Sequence, residues 1–126
     1  MSQTFSLSQI GQIAITVHDL ERAVAFYRDR LGLPLLFQFP GLAFFDCHGV
    51  RLLLETAAED GPRRNSILYY RVADIQAAYK ALQQQGVAFI EAPNRVARMS
   101  DHDLWMAFFQ DPDENILAIM SEVSYA

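Results

Sequence analysis

Two stretches of the chain repeat one pattern, and that repeat restricts the fold more than any other feature. Residues 10–17, Ile-Gly-Gln-Ile-Ala-Ile-Thr-Val, alternate as a half-buried strand does, and Asp19 then stands where a helix N-cap belongs. Apolar Ala23, Phe26, Tyr27 and Leu31 recur at helical spacing, and Gly32 follows as a left-handed stop, so the pattern predicts a helix over 20–31. The same order returns with a strand over 66–72, a cap at Asp74, a stripe of Ile75, Ala78, Tyr79 and Leu82, and a stop at Gly86. Val17, Asp19 and Ala23 map onto Val72, Asp74 and Ala78 at a constant offset of 55 residues. Order, caps and terminating glycines agree, which is the signature of two halves of one design.

Each helix is followed by shorter β-like runs. In the first half these cover 34–39, 42–46 and 50–55, separated by Pro40-Gly41 and His48-Gly49. In the second half they cover 87–90, 103–110 and 115–121, with a less regular segment at 95–99. The reading is α+β: two βαβββ modules, about 8–57 and about 65–122, joined by the polar connection 58–65 within a single domain spanning 1–126.

Charge and composition narrow the function. Ten Lys and Arg against fifteen Asp and Glu give a net charge of −5, which opposes binding to a phosphate backbone, so no nucleic-acid partner is expected. The first residues are polar, and no apolar stretch approaches the length of a membrane span; a cytoplasmic chain without membrane contact is expected. Cys47 is the only cysteine, which rules out an intramolecular disulfide and a cysteine metal cluster. It reads as a small packing residue near a turn.

Residues 13–33, Ile-Ala-Ile-Thr-Val-His-Asp-Leu-Glu-Arg-Ala-Val-Ala-Phe-Tyr-Arg-Asp-Arg-Leu-Gly-Leu, resemble the opening strand and helix of the vicinal-oxygen-chelate superfamily, which holds glyoxalases, bleomycin-resistance proteins and extradiol dioxygenases. Phe108-Phe109-Gln110-Asp111-Pro112-Asp113-Glu114-Asn115 resembles the family's F-x-D-P-D-G-N hairpin, with Glu114 where the family carries Gly. A non-Gly residue at positive φ there costs on the order of 1 kcal/mol. The resemblance implies two βαβββ modules whose sheets form a U-shaped trough around a small-molecule cavity, commonly in a homodimer.

It also implies four candidate positions for a divalent metal (Zn, Ni, Mn or Fe), and this chain fills them poorly. Gln12 keeps an oxygen donor on the first strand; Ile67 and Ala118 carry none; the fourth position is Leu53, with Glu55 two residues on and sharing its strand face. A catalytic site generally needs three protein ligands, so no cofactor is expected, and Gln12 and Glu55 are the only inherited donors. His18, His48 and His102 offer a different ligand set. His102 also stands between Asp101 and Asp103, either of which would orient an imidazole for proton transfer.

Alternation places Gln12, Ala14 and Thr16 of the first strand in the trough, and Ile67, Tyr69 and Arg71 of its counterpart. Of Phe37, Phe39, Phe44, Phe45, Trp105, Phe108 and Phe109 about half face the trough, and Trp105, adjoining the His102 loop, is expected to touch ligand. Arg71 is placed to bind an anionic group or to pair with Glu55. Three functions compete: metal-independent binding of an aromatic or cationic small molecule; a metal-dependent lyase or dioxygenase in which Glu55 moves a proton; and a metal-free lyase or isomerase built on His102 and Arg71.

Overall fold

The computed structural model describes residues 8, 10–56 and 65–125; the polar connection over 58–64 lies outside them. Each module begins as alternation and capping demand. Strand β1 (Gln12–Val17) is followed by helix α1 (Leu20–Ala25), whose first turn is capped by Asp19 Oδ1 accepting from the Arg22 N–H. In the second module β5 (Leu68–Arg71) is followed by α2 (Ile75–Gln84), and Asp74 Oδ1 accepts from the N–H groups of both Gln76 and Ala77. Three antiparallel strands complete each half: β2 (Leu35–Phe39), β3 (Leu42–Cys47) and β4 (Val50–Thr56), then β6 (Phe89–Arg98), β7 (His102–Gln110) and β8 (Ile116–Ser124).

The result is two mixed four-stranded sheets of equivalent order, β1-β4-β3-β2 and β5-β8-β7-β6, with β1 parallel to β4 and β5 parallel to β8. This is the α+β architecture of two βαβββ units. The duplicated first strands, β1 and β5, are both edge strands.

Two local departures have physical causes. After Ala25 the first helix widens into a π-helical turn, Phe26–Arg30, in which the Leu31 N–H reaches back five residues to the Phe26 carbonyl at 3.1 Å. The wider turn buries both neighbours Phe26 and Tyr27, which a regular helix would spread over about 100°. The second departure is that the runs at 87–90 and 95–99 fall largely in one long strand, β6, broken by register shifts between Phe89 and Glu91, between Glu91 and Asn94, and between Arg95 and Ala97. Pro93 lacks an N–H, and only an edge strand such as β6 accommodates that without losing a ladder bond.

One apolar core fills the space between the modules. Ile15, Val17, Phe45, Leu52 and Leu54 from the first sheet and Ala107, Phe109, Leu117 and Ile119 from the second are all buried, and Ala23, Val24 and Ile75 of the helices join the same cluster. Since helix-bearing sides meet in this core, the opposite face of each sheet is left uncovered among the described residues.

A polar junction ties the halves together. The buried Asp111 carboxylate accepts from the Tyr27 hydroxyl at 2.8 Å, from the Asn115 side-chain amide at 2.8 Å, and from the N–H groups of Asp113 and Asn115 at 2.8 and 2.9 Å. Asp113 in turn accepts from the His18 N–H at 2.7 Å and meets its imidazole Nδ1 at 2.7 Å. Asn65 donates to the Thr16 carbonyl and to Asn115, and accepts from the Thr16 N–H. Glu114, with φ of 66°, takes the left-handed turn position expected of it.

Replacing Tyr27 with Phe leaves a buried carboxylate one donor short and is expected to lower stability by about 2 kcal/mol in urea unfolding. Burial first, then the Asp111 carboxylate, hold the Tyr27 phenol far above the usual tyrosine range, and burial likewise raises Tyr70. A raised folded-state value contributes stability below about pH 10 that is lost as pH climbs past it. In an alkaline titration, Tyr27 and Tyr70 should therefore show phenolate absorbance only together with loss of the circular-dichroism signal.

Candidate functional site

Strand register defines the uncovered face of the first sheet. Gln12, Ala14 and Thr16 stand beside Arg51, Leu53 and Glu55; Leu53 and Glu55 face Phe44 and Leu42; and these face Phe37 and Phe39. Three phenylalanines thus gather on one surface. The Phe37 and Phe44 ring centroids are 4.6 Å apart, Phe37 and Phe39 5.6 Å, and Phe39 and Phe44 6.5 Å. Phe39 remains 54% and Phe37 41% exposed, so no part of the same chain covers them among the described residues. The Arg51 guanidinium lies 5.7 Å from the centroids of both Phe37 and Phe44, within cation–π range. Glu55 is half-buried on the same face and makes no hydrogen bond or ion pair among the described residues.

The uncovered face of the second sheet is built by the same rule. Tyr69 pairs with Ala118, which pairs with Phe108; Arg71 pairs with Met120, which pairs with Met106; and Leu104 and Glu122 continue the row towards His102. Tyr69 and Phe108 pack edge to face at 6.0 Å, and Tyr69 is 46% exposed. Tyr69 and Arg71 also border a cleft of about 680 Å³ between the modules.

The structure separates residues that the sequence had grouped. Gln12 and Glu55 share a face, but Glu55 stands beside Thr16, four residues along β1 from Gln12, or about 13 Å at strand rise. They do not close on one ion. Ile67 is exposed and Ala118 fully buried, and neither has a donor atom. Among the described residues no three His, Cys, Asp or Glu side chains converge. The donor set does not fit the family's metal, and the pairing of Gln12 with Glu55 as ligands is corrected on geometry.

Arg71 approaches Glu122 at 3.7 Å, so Glu122 and not Glu55 is its acidic neighbour. His102 lies on the same face as Met106 and Phe108, and its Nδ1 meets Asp101 Oδ1 at 2.7 Å. Asp103 is engaged elsewhere, accepting from the Tyr125 hydroxyl at 2.5 Å and lying 3.7 Å from Arg95. Trp105 is three residues from His102 on a strand, hence on the opposite face, where it packs against the core. The expectation that it lines the ligand face is corrected for that reason.

Sequence reasoning passed over Arg51, although alternation through 50–55 places it with Leu53 and Glu55. It also passed over the side-chain bonds of His18 and Asn65, which no local pattern encodes.

Comparison with known proteins agrees with this geometry. The model of the Glyoxalase/Bleomycin resistance protein/Dioxygenase superfamily matches residues 9–119. An uncharacterized protein of Bacillus subtilis, YraH, is 32% identical over 86% of this chain and 94% of its own length. The metallothiol transferase FosB of Lysinibacillus sphaericus is 28% identical over 86% of this chain and 78% of its own. A glyoxalase/bleomycin resistance protein/dioxygenase structure from Nocardioides superposes with a TM-score of 0.74 at 24% identity, covering 98% of this chain and 89% of that one.

Packing on the core side gives Trp105 a measurable signature. Its fluorescence should be quenched by iodide several-fold less efficiently than that of free tryptophan; quenching at the free rate would place the indole outside the core.

Proposed function

The chain belongs to the glyoxalase/bleomycin resistance protein/dioxygenase superfamily, and from that premise we propose that it binds an aromatic, positively charged small molecule on its sheet faces without a metal. The observation that carries this reading is the cluster of Phe37, Phe39 and Phe44 on an uncovered face. Two of those rings already accept the Arg51 guanidinium, which marks them as cation-accepting surfaces, and Glu55 supplies a carboxylate one strand away. Metal independence is supported by the scattered donors. A homodimer belongs to the same reading, because a second copy is the simplest cover for two outward faces that carry exposed Phe37, Phe39 and Tyr69. No helix among the described residues is long and apolar enough to cross a membrane. A cytoplasmic setting, with Cys47 as the sole cysteine, completes the proposal.

A second reading has its own observation. The 2.7 Å contact between His102 and Asp101 orients an imidazole on the same face as Arg71, as a metal-free lyase or isomerase would need.

Ethidium, a planar aromatic cation, is a suitable probe. In equilibrium dialysis the native protein should retain it, and Phe44→Ala should weaken retention by about tenfold through lost ring burial. Equal retention by both proteins would sink the binding reading. Turnover of a carbonyl or epoxide substrate that disappears in His102→Ala would replace it with the second.

A further inference from the structure

The cleft between the modules lies on the other side of the first sheet from the phenylalanine cluster. Ile13 and Leu52, which wall it, project from the face opposite Gln12 and Leu53. Leu33, Val50 and Leu68 complete an apolar lining of a space of about 680 Å³, within the usual range for a small-molecule site. A smaller cavity of about 280 Å³ shares Leu33 and Tyr70 with it.

One polar group in that wall is unaccounted for. The Tyr70 hydroxyl oxygen is buried and has no hydrogen-bond partner among the described residues. Buried hydroxyls are normally satisfied, and an orphaned one is a standing penalty that a ligand can remove. The other polar side chains of the lining, Cys47, His48, Tyr69 and Arg71, make no hydrogen bond to that phenol among the described residues.

The same surroundings select against charge. Burial pushes both the Tyr70 phenol and the Cys47 thiol up from their ordinary values, so both remain neutral. Arg71 borders the cleft, but its side chain is 73% exposed and engaged with Glu122. His48 at the rim is exposed as well, so an ion held against the apolar wall would lose its hydration with no charged partner in the buried part of the lining.

We propose that this cleft is a second binding site, for an uncharged, mainly apolar molecule with one hydrogen-bond acceptor, such as an aryl or medium-chain ketone or ester, received by the Tyr70 hydroxyl. The site shares Tyr69 and Arg71 with the face of the second sheet but none of the phenylalanine cluster, so the two readings can fail separately.

Acetophenone and ethylbenzene test it as a pair, being close in shape and differing in the carbonyl. Titrated into the full chain with methyl NMR, both should shift Ile13, Val50, Leu52 and Leu68 and leave Leu42 and Leu53 unmoved. Tyr70→Phe keeps the ring and should weaken acetophenone about fivefold while leaving ethylbenzene unchanged. The same variant should melt no lower than the parent, since it removes an unpaired group. Shifts confined to Leu42, Leu53 and Met106 would overturn the proposal, as would equal effects of Tyr70→Phe on the two probes. Val50→Trp, filling the cleft, should abolish binding of both; should it fail to fold, the Tyr70→Phe comparison decides alone.

Discussion

The Asp111 carboxylate is the constraint on which the arrangement of the molecule depends. It is buried, and a buried carboxylate persists only when donors surround it. Three of those donors come from its own hairpin, the backbone N–H groups of Asp113 and Asn115 and the Asn115 side-chain amide, and the long-range one is the Tyr27 hydroxyl of the other module. The hairpin then passes the constraint outward, through Asp113 to His18 and through Asn115 to Asn65 and the β1 backbone at Thr16. A hydrophobic core alone is tolerant of sliding, because burial is non-directional. Hydrogen bonds of fixed length set where one module sits on the other.

That placement decides which surfaces are free to bind. With the helix-bearing sides joined, the first sheet presents phenylalanines, Arg51 and Glu55, and the second presents Tyr69, Phe108, Met106 and Met120. The two halves follow one topology yet offer different chemistry, since outward residues escape the packing demands that keep Ile15, Leu52 and Leu117 apolar. The cleft with Tyr70 arises from the same docking, at the place where β5 meets the core side of the first sheet.

Much of the fold was legible because its signals are local. Alternation through β1, the two capping aspartates and the terminating glycines depend on a few adjacent residues, and each element formed near its expected place. The segments at 87–90 and 95–99 were harder, since Pro93 and the bulges interrupt alternation in what is one strand. The candidate site was legible only as far as alternation reaches. It assigned Gln12, Tyr69 and Arg71 to their faces, and the same rule sets Trp105 against His102, three residues apart. What pairs with Arg71, and how far Gln12 lies from Glu55, depend on the parallel register between distant strands, which one sequence does not encode locally.

The π-helical turn marks where the two modules differ. From capping aspartate to terminating glycine, the first module is one residue longer than the second, and the wide turn is where that residue is absorbed. At the offset that aligns the two helices, Tyr27 corresponds to Leu82, an ordinary member of an apolar stripe. A leucine at that place in the first helix would have no hydroxyl to offer Asp111. Tyrosine in one helix and leucine in the other make the two halves unequal, and the first supplies the donor that the hairpin of the second requires.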